Sequence, residues 1–286
     1  MPELPEVQIV VNHLALKLKG KIFCAGQILT KKMVSRNFAR EIKNQKVKSV
    51  KRRGKMIIME LASGKFLLIH LKMTGQLIFV DKKGHPSGGG HPITSSDFNL
   101  SQVNKFTRLI LELKDGSRLL FHDLRKFGWM KIVDQKGLAL IDKKFGKEPL
   151  SKNFTSNYFK QLLKKRPNLK IKQFLMMQEL IAGIGNIYAD ESLFKAKISP
   201  LRIIKSLKSK EIENLHSSII TILKKAIKLG GTSVNTFVHP TGKRGNFVAK
   251  LKVYQRGGKK CLGCGQILKK TKINGRGTVY CSKCQK

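Results

Sequence analysis

Acidic residues are scarce in this sequence, and none follows Glu213. The 286 residues contain 17 Asp and Glu against 58 Lys and Arg, which gives a formal net charge of +41. The C-terminal quarter is therefore purely cationic. A charge of this size predicts an acidic polymer as the partner, and by itself it leaves open a nucleic acid, a membrane surface or a ribosomal site.

Long apolar runs are also absent. No stretch of about 18 apolar residues occurs, and the N-terminal MPELPEV has neither the basic segment nor the apolar core of a signal peptide. We therefore expect an intracellular protein of the cytoplasm with no membrane partner, and a monomer by default. In that compartment the five cysteines are expected to form no disulfide bonds. Cys24 is expected to be a buried, small apolar side chain.

The hydrophobic periodicity changes along the chain. Apolar residues recur at helical spacing over residues 8–19, behind Pro5, which predicts a short amphipathic helix. The β-rich runs that follow are separated by turns, which predicts an antiparallel sandwich. They cover residues 47–50, 56–61, 66–71, 76–80, 109–113, 119–122 and 129–133, with a flexible glycine-rich loop at 84–92.

From Asn153 onward the pattern is helical, with helices predicted at 155–165, 168–182, 186–195 and 209–229. We therefore predict an α+β protein. Its parts are a β-sandwich domain at 1–143, a linker at 144–152, a helical domain at 153–251 and a finger at 252–286.

A turn is predicted between two of these helices. Gly183 and Gly185 turn the chain, and Asn186 suits the N-cap of the next helix. Such a turn is either a plain helix hairpin or a phosphate site made by the amides of a helix N-terminus.

Four cysteines near the C-terminus have the spacing of a zinc ribbon, C-x2-C-x16-C-x2-C. They are Cys261, Cys264, Cys281 and Cys284. Four thiolates complete a tetrahedral site, so we predict one structural Zn²⁺ that helps to fold a segment with little core of its own. A redox C-x-x-C pair is the competing interpretation.

The first 40 residues contain only two carboxylates, Glu3 and Glu6, beside Pro2. Removal of Met1 would give Pro2 a free secondary amine. With an α-amino pKa near 7.7–8.0, roughly a tenth of it is neutral at pH 7. A neutral amine can attack the anomeric carbon of a sugar and form a Schiff base. The simpler interpretation is that Pro-Glu only begins a helix.

Beyond MPELPEV, six collinear blocks resemble bacterial formamidopyrimidine-DNA glycosylases. The blocks are RRGK at 52–55, HLKMTG at 70–75, DLRKFG at 123–128, GIGNIYA at 183–189, GGT at 230–232 and the cysteine ribbon. The resemblance implies a two-layer antiparallel β-sandwich with flanking helices, a helix–two-turns–helix domain and a terminal zinc finger.

The resemblance also implies an activity: base-excision repair by a bifunctional glycosylase and lyase that removes oxidised purines from damaged double-stranded DNA, in bacteria and in association with the nucleoid. It makes Pro2 the Schiff-base nucleophile, with Glu3 as the acid that protonates the opening deoxyribose and Glu6 in support. Lys55, expected on a strand, is assigned to β-elimination. Arg276, on the finger, is assigned to a phosphate contact and to δ-elimination.

Further positions match DNA-contacting residues of the family. Met73, Arg125 and Phe127 match side chains that enter the duplex when the damaged nucleotide leaves, a step that costs a few kcal/mol; the simpler interpretation of Met73 and Phe127 is ordinary core. The other predicted DNA contacts are Lys105, Phe106, Arg166 and Asn186. A loop at 230–247 is expected to close over the lesion with Thr232, Ser233, Thr236, Lys243 and Arg244.

Two positions depart from the family pattern. Phe106, followed by Arg108, stands where many relatives have a DNA-contacting histidine, and Met177 replaces a frequent aspartate. Two rival functions remain. One is an oxidised-pyrimidine glycosylase of the endonuclease VIII type, although Leu4 and the long loop at 230–247 favour the purine-specific branch. The other is a zinc-ribbon DNA-binding protein without catalysis.

Overall fold

The computed structural model describes residues 1–90, 102–232 and 245–286. The chain divides into two compact units, Met1–Lys143 with Leu229–Val248, and Lys144–Lys228 with Ala249–Lys286. This division differs from the sequence-based boundaries, which placed 230–247 with the helices and treated the finger as a domain of its own. The difference has a physical origin, because the amide of Thr232 is bound by Glu6 in the first unit and the finger packs on a helix of the second.

The first unit is a sandwich of two antiparallel sheets with helices around it. The five-stranded sheet has the order β1-β7-β8-β5-β6, and the four-stranded sheet has the order β2-β3-β4-β9. The strands are β1 Phe23–Ile28, β2 Val47–Arg53, β3 Met56–Leu61, β4 Phe66–His70, β5 Gly75–Val80, β6 Pro86–Gly90, β7 Thr107–Leu113, β8 Arg118–Asp123 and β9 Trp129–Val133. The helices are α1 Leu4–Leu18, α2 Phe38–Ile42 and α3 Gln135–Asp142, with a 3-10 turn at Lys31–Met33.

The core of this unit follows from the two-residue period of its strands. Leu67 and Ile69 of β4, and Leu77 and Phe79 of β5, point into one buried cluster because alternate side chains of a strand share a face. Leu14 of α1 joins the same cluster from the helix. The N-terminus is thus fixed to the sandwich by the apolar face of α1.

The second unit contains four helices and a β-hairpin. They are α4 Ser156–Lys164, α5 Ile171–Leu175, α6 Asn186–Lys195, α7 Ser209–Lys228, β10 Lys269–Ile273 and β11 Arg276–Tyr280, with a 3-10 turn at Ile204–Ser206. A further 3-10 turn, Phe247–Lys250, lies where the chain passes from the first unit to the second. Helices α4 and α6 both pack on α7, and β11 packs on α6.

Two sequence-based expectations are wrong in this fold. The helix expected at 168–182 ends at Leu175, because the side chain of Gln178 binds the carbonyls of Met176 and Ile184 and stabilises a turn there. The loop expected at 84–92 contains β6, which pairs with β5. A Cβ on Gly88 would lie 2.2 Å from a carbonyl oxygen of β5, so this glycine permits close strand pairing.

Among the helices in the described ranges, none combines the length and the apolar character needed to cross a membrane.

Candidate functional site

The N-terminal carboxylates are buried and hydrogen-bonded. Glu3 is 4% exposed and Glu6 is 2% exposed. Glu3 occupies the N-cap of α1, and the Oε2 of Glu6 accepts its backbone N–H over 3.0 Å in the arrangement of a capping box. The Oε1 of Glu6 accepts the N–H of Thr232 over 2.9 Å. Glu6 therefore connects the segment of Pro2 to the start of the 230–247 loop.

Lys55 lies in the turn between β2 and β3, not on a strand as expected. Gly54 beside it has a φ of +58°, a conformation that favours glycine and ends the strand before Lys55. The Lys55 side chain is buried, at 6% exposure. Arg52 donates to the carbonyl of Gly54 and to the side chain of Gln8, both at 2.9 Å, and so ties this turn to α1.

His70 ends β4, opposite Met56 of β3, and stays uncharged at neutral pH. Burial, joined by the positive charges of Lys72 and Lys55, lowers its pKa from the usual 6.5 to about 3. Its Nδ1 accepts the backbone N–H of Lys72 over 3.0 Å, so the proton of the neutral ring lies on Nε2. The buried ammonium of Lys55 thus acquires no cationic neighbour from this ring.

Met73, Arg125 and Phe127 form one exposed cluster. Arg125 donates to the Sδ of Met73 over 3.4 Å, and its guanidinium lies 4.7 Å from the centroid of the Phe127 ring. Met73 is 38% exposed and Phe127 is 51% exposed, so the ordinary-core interpretation of these residues is wrong. Large apolar side chains at this exposure, held by an arginine, are suited to insertion between bases.

The backbone that carries this cluster is fixed by Asp123, which is fully buried. Its Oδ1 accepts the hydroxyl of Thr74 and, at 3.1 Å, the N–H of Arg125, while its Oδ2 accepts the N–H of Gly128 at 2.7 Å. One carboxylate thus fixes the backbone on both sides of Phe127 and the residue that follows Met73.

Lys105 and Phe106 lie together just before β7. The Lys105 Nζ is 5.4 Å from the centroid of the Phe106 ring. Arg108 has another role, since its Nε donates to the backbone carbonyl of Asp123 over 2.8 Å. Arg108 therefore stabilises the backbone at Asp123.

The four ribbon cysteines converge on one point. Their Sγ atoms all lie within 4.8 Å of one another, with Cys264–Cys281 at 3.5 Å and Cys261–Cys284 at 3.9 Å. Zn–S bonds near 2.3 Å in a tetrahedron place sulfurs about 3.8 Å apart. The geometry fits one four-thiolate Zn²⁺, and a pair of separate redox centres does not match it.

Arg276 begins β11 and its side chain is exposed. Asn186 is the first residue of α6 rather than its N-cap, a position that Gly185 takes instead. The Asn186 Nδ2 donates to the carbonyl of Gly277 over 2.9 Å, which draws its amide toward the hairpin and away from a capping geometry. Arg166 lies exposed beyond the end of α4.

Comparison with known proteins gives matches along most of the chain. The N-terminal domain of formamidopyrimidine-DNA glycosylase matches residues 1–130, its H2TH domain matches 145–238, and a zinc finger found in FPG and IleRS matches 258–286. The chain belongs to the formamidopyrimidine-DNA glycosylase family.

Individual glycosylases support this assignment over the full length. That of Pelotomaculum thermopropionicum is 37% identical, covering 100% of this chain and 99% of the relative, and that of Listeria monocytogenes is 37% identical over all of both chains. A Lactococcus lactis Fpg mutant bound to a Fapy-dG-containing DNA has a TM-score of 0.86 at 34% identity, covering 99% of each chain. The Lactococcus lactis Fpg complex with an abasic-site DNA has a TM-score of 0.85 at 33% identity and the same coverage.

Membership in the glycosylase family confirms the resemblance, the α+β fold class, the structural zinc and the enzyme class, a DNA glycosylase of base-excision repair. The roles of individual residues stay predictions. Of the predicted lesion-loop residues, Thr232 is placed by the structure, and Ser233, Thr236, Lys243 and Arg244 lie outside the described residues.

Sequence reasoning missed four residues in this glycosylase. His70 and Asp123 lie inside blocks that were recognised, yet no role was assigned to them. The other two, Lys172 and Asp190, form a buried ion pair in the second unit. The available signal was the position of Lys172 between apolar residues of one short helix.

Proposed function

We propose that this chain excises oxidised purines, namely 8-oxoguanine and formamidopyrimidines, from double-stranded DNA and then cleaves the strand, using Pro2 as nucleophile. One observation carries the proposal: Glu3 and Glu6 are buried and hydrogen-bonded immediately beside Pro2, in a protein otherwise poor in carboxylates. The simpler interpretation, in which Pro-Glu only begins a helix, does not explain why Glu6 also accepts the N–H of Thr232.

The first step forms the covalent intermediate. The neutral amine of Pro2 attacks C1′ of the damaged nucleotide, and the C1′–N bond to the base breaks. The base leaves with the proton that the amine loses. Glu3 protonates O4′ as the sugar ring opens, which leaves an iminium between Pro2 and C1′.

Two eliminations follow on this iminium. Loss of a C2′ proton breaks the C3′–O bond, and loss of a C4′ proton then breaks the C5′–O bond, so a phosphate departs from each side. We assign Lys55 to the first elimination, and Arg276 to the second, where a guanidinium is suited to stabilise the departing phosphate. Water finally hydrolyses the iminium, which frees Pro2 and an unsaturated aldehyde.

Access to C1′ requires that the damaged nucleotide leave the stack. The exposed Met73, Arg125 and Phe127 are suited to occupy the vacated space and to offset the unstacking cost of a few kcal/mol. We assign Lys105, Phe106, Arg166 and Asn186 to contacts with the surrounding DNA, and Thr232 to the base of the loop that covers the lesion. The excess of 41 positive charges supports a duplex as the partner. We also propose a monomer that acts on nucleoid DNA in the bacterial cytoplasm.

Borohydride trapping tests the mechanism. The protein without Met1 is expected to form a covalent adduct with an 8-oxoguanine duplex, because borohydride reduces the iminium to a stable amine. The same protein with Met1 retained should bind the duplex and form no adduct. Lys160→Met, which removes a part-buried ion pair with Glu213 in the second unit, is a matched control that should trap normally.

The outcome separates the rival functions. Equal trapping with Met1 retained would disprove the Pro2 mechanism, and tight binding without any adduct would favour the non-catalytic DNA-binding protein. Faster excision of thymine glycol than of 8-oxoguanine in parallel duplexes would favour the pyrimidine branch.

A further inference from the structure

Lys172 is a fully buried lysine whose ammonium is surrounded by oxygens. Its Nζ lies 2.8 Å from the Oδ1 of Asp190, 2.7 Å from the Oγ1 of Thr278 and 3.1 Å from the carbonyl of Gly277. Both side chains of the ion pair are essentially inaccessible, at 0% and 1% exposure. The ion pair with Asp190 and the two hydrogen bonds to Thr278 and Gly277 make the burial of its charge tolerable.

The contacts of this pair end on the strand that begins with Arg276. Thr278 accepts from Lys172 and donates its hydroxyl to the carbonyl of Arg276 over 3.1 Å. Asp190 also accepts the N–H of Val279 over 3.4 Å. A continuous set of polar contacts therefore runs from Asp190 through Lys172 and Thr278 to the backbone of Arg276.

The neighbouring acid of α6 has a different task. The carboxylate of Glu191 accepts the N–H groups of Lys252, Val253 and Tyr254 at 2.9 to 3.1 Å, which fixes the chain where it enters the finger. Two adjacent acids of α6 thus anchor the finger at separate places. Only the anchor made by Asp190 reaches the strand of Arg276 through these contacts.

Met177, which stands where relatives frequently have an aspartate, lies in the turn after α5. The carboxylate paired with Lys172 in this chain belongs to Asp190 of α6. Burial raises the pKa of Asp190 to about 7, and the charge and hydrogen bond of Lys172 oppose that rise.

We infer that Lys172 and Asp190 are positioning residues for Arg276: the buried pair holds β11 in register on α6 so that the Arg276 guanidinium reaches the phosphate released in δ-elimination. The inference rests on the proposed function, because it requires that Arg276 assist that step. The pair is thus expected to affect δ-elimination and to leave Schiff-base formation at Pro2 unchanged.

The test measures three quantities on a duplex with a preformed abasic site: borohydride trapping, the β-elimination product and the δ-elimination product. The variants are Asp190→Asn, which leaves Lys172 buried without its anion, and Thr278→Val, which removes only the hydroxyl that joins Lys172 to the Arg276 carbonyl. Each should lower the ratio of δ to β product, by roughly tenfold for Asp190→Asn, while trapping stays within about twofold of the wild type. Lys160→Met is the matched control and should leave the ratio unchanged.

A double-mutant cycle distinguishes positioning from general damage to the finger. In an Arg276→Ala background, Asp190→Asn should cause no further loss of δ product, because the pair acts through Arg276. Zinc content is measured on every variant. If Asp190→Asn loses zinc, Thr278→Val decides the outcome.

An unchanged product ratio in Thr278→Val, or additive losses in the Arg276→Ala background, would overturn the inference in a protein that traps normally. Absence of trapping in the wild type would instead disprove the proposed function, and the positioning role would be disproved with it.

Discussion

Glu6 and Thr232 are joined by a hydrogen bond of 2.9 Å although 226 residues separate them. The second oxygen of the same carboxylate holds the N–H of Glu3. Gly231 permits this approach, because a Cβ there would lie 3.0 Å from Ile9 and 3.2 Å from the Glu6 carboxylate, and its φ is +78°. The N-terminal segment and the start of the proposed lesion loop therefore share one anionic acceptor.

Glu6→Gln should weaken both functions of this carboxylate. The new amide has one acceptor oxygen for two N–H donors, so one buried donor loses its partner, at a cost of about 1–3 kcal/mol in the free energy of unfolding. Single-turnover excision of 8-oxoguanine should fall by roughly tenfold. Chemical denaturation and excision rates check this result. Glu112→Gln changes a half-buried carboxylate of β7 that accepts from Gln27, keeps an acceptor oxygen for it, and should do neither. A wild-type rate in Glu6→Gln would contradict the proposed link.

Asp123→Asn should impair base extrusion selectively. Its carboxylate accepts from Thr74, Arg125 and Gly128 at once, and an amide nitrogen cannot accept any of these donors. We expect about a tenfold lower excision rate on a fully paired lesion and a smaller loss on a mismatched one, where less unstacking work is needed. Asp134→Asn, at the N-cap of α3, is the stability control. Equal losses on paired and mismatched lesions would argue against a role in extrusion.

Parts of this molecule could be predicted from sequence for reasons that are local. Short β-rich runs separated by turns predict β3 and β9 with the bounds that the structure has, and four cysteines at ribbon spacing predict the metal site. Local reasoning failed where the cause lies elsewhere in the chain. The three glycines at 88–90 predict a flexible loop, whereas this segment pairs with β5, and at Gly88 the lack of a side chain permits the close approach.

The candidate site shows the same limit. Motifs identify the zinc ribbon and make Pro2 and Lys55 candidates, but the turn at Gly54 that places Lys55 depends on one backbone dihedral. Asn186 was expected to cap a helix, and its amide binds Gly277, 91 residues away. The pair of Lys172 and Asp190 joins two helices and a distant strand, so no spacing pattern in the sequence predicts it.

Removal of zinc should affect the second unit alone. Cys281 is fully buried within the small apolar cluster of the finger, so Cys281→Ser should lose the metal, unfold the hairpin and abolish tight DNA binding. The sandwich has its own core and should keep its cooperative unfolding transition. Metal content, DNA affinity and thermal unfolding check this result, with Cys24→Ser as the control that retains zinc. Loss of both transitions would show that the sandwich depends on the finger.

The stability of the first unit should fall on acidification because of His70. Its folded pKa of about 3 lies below the unfolded value of 6.5, so the unfolded chain binds the extra proton. The resulting stability is present above pH 6.5 and is lost as the pH falls toward 3, with a slope of up to about 1.4 kcal/mol per pH unit. His70→Asn keeps an acceptor for the Lys72 amide and should flatten this part of the urea-denaturation profile. An unchanged profile would show that His70 does not titrate as expected.

Lys105 should contribute to the salt dependence of DNA binding. Its ammonium is exposed and contacts the Phe106 ring at 5.4 Å, an interaction weak enough for a phosphate to replace. Each neutralised phosphate contributes about 0.9 to the slope of log K against log salt, so Lys105→Gln should reduce the magnitude of the slope by nearly one. Lys136→Gln, on the exposed surface of α3, has no assigned DNA contact and should leave the slope unchanged. Equal reductions in both variants would indicate a diffuse electrostatic effect of the net charge, whereas a change in Lys105→Gln alone would place a phosphate at the start of β7.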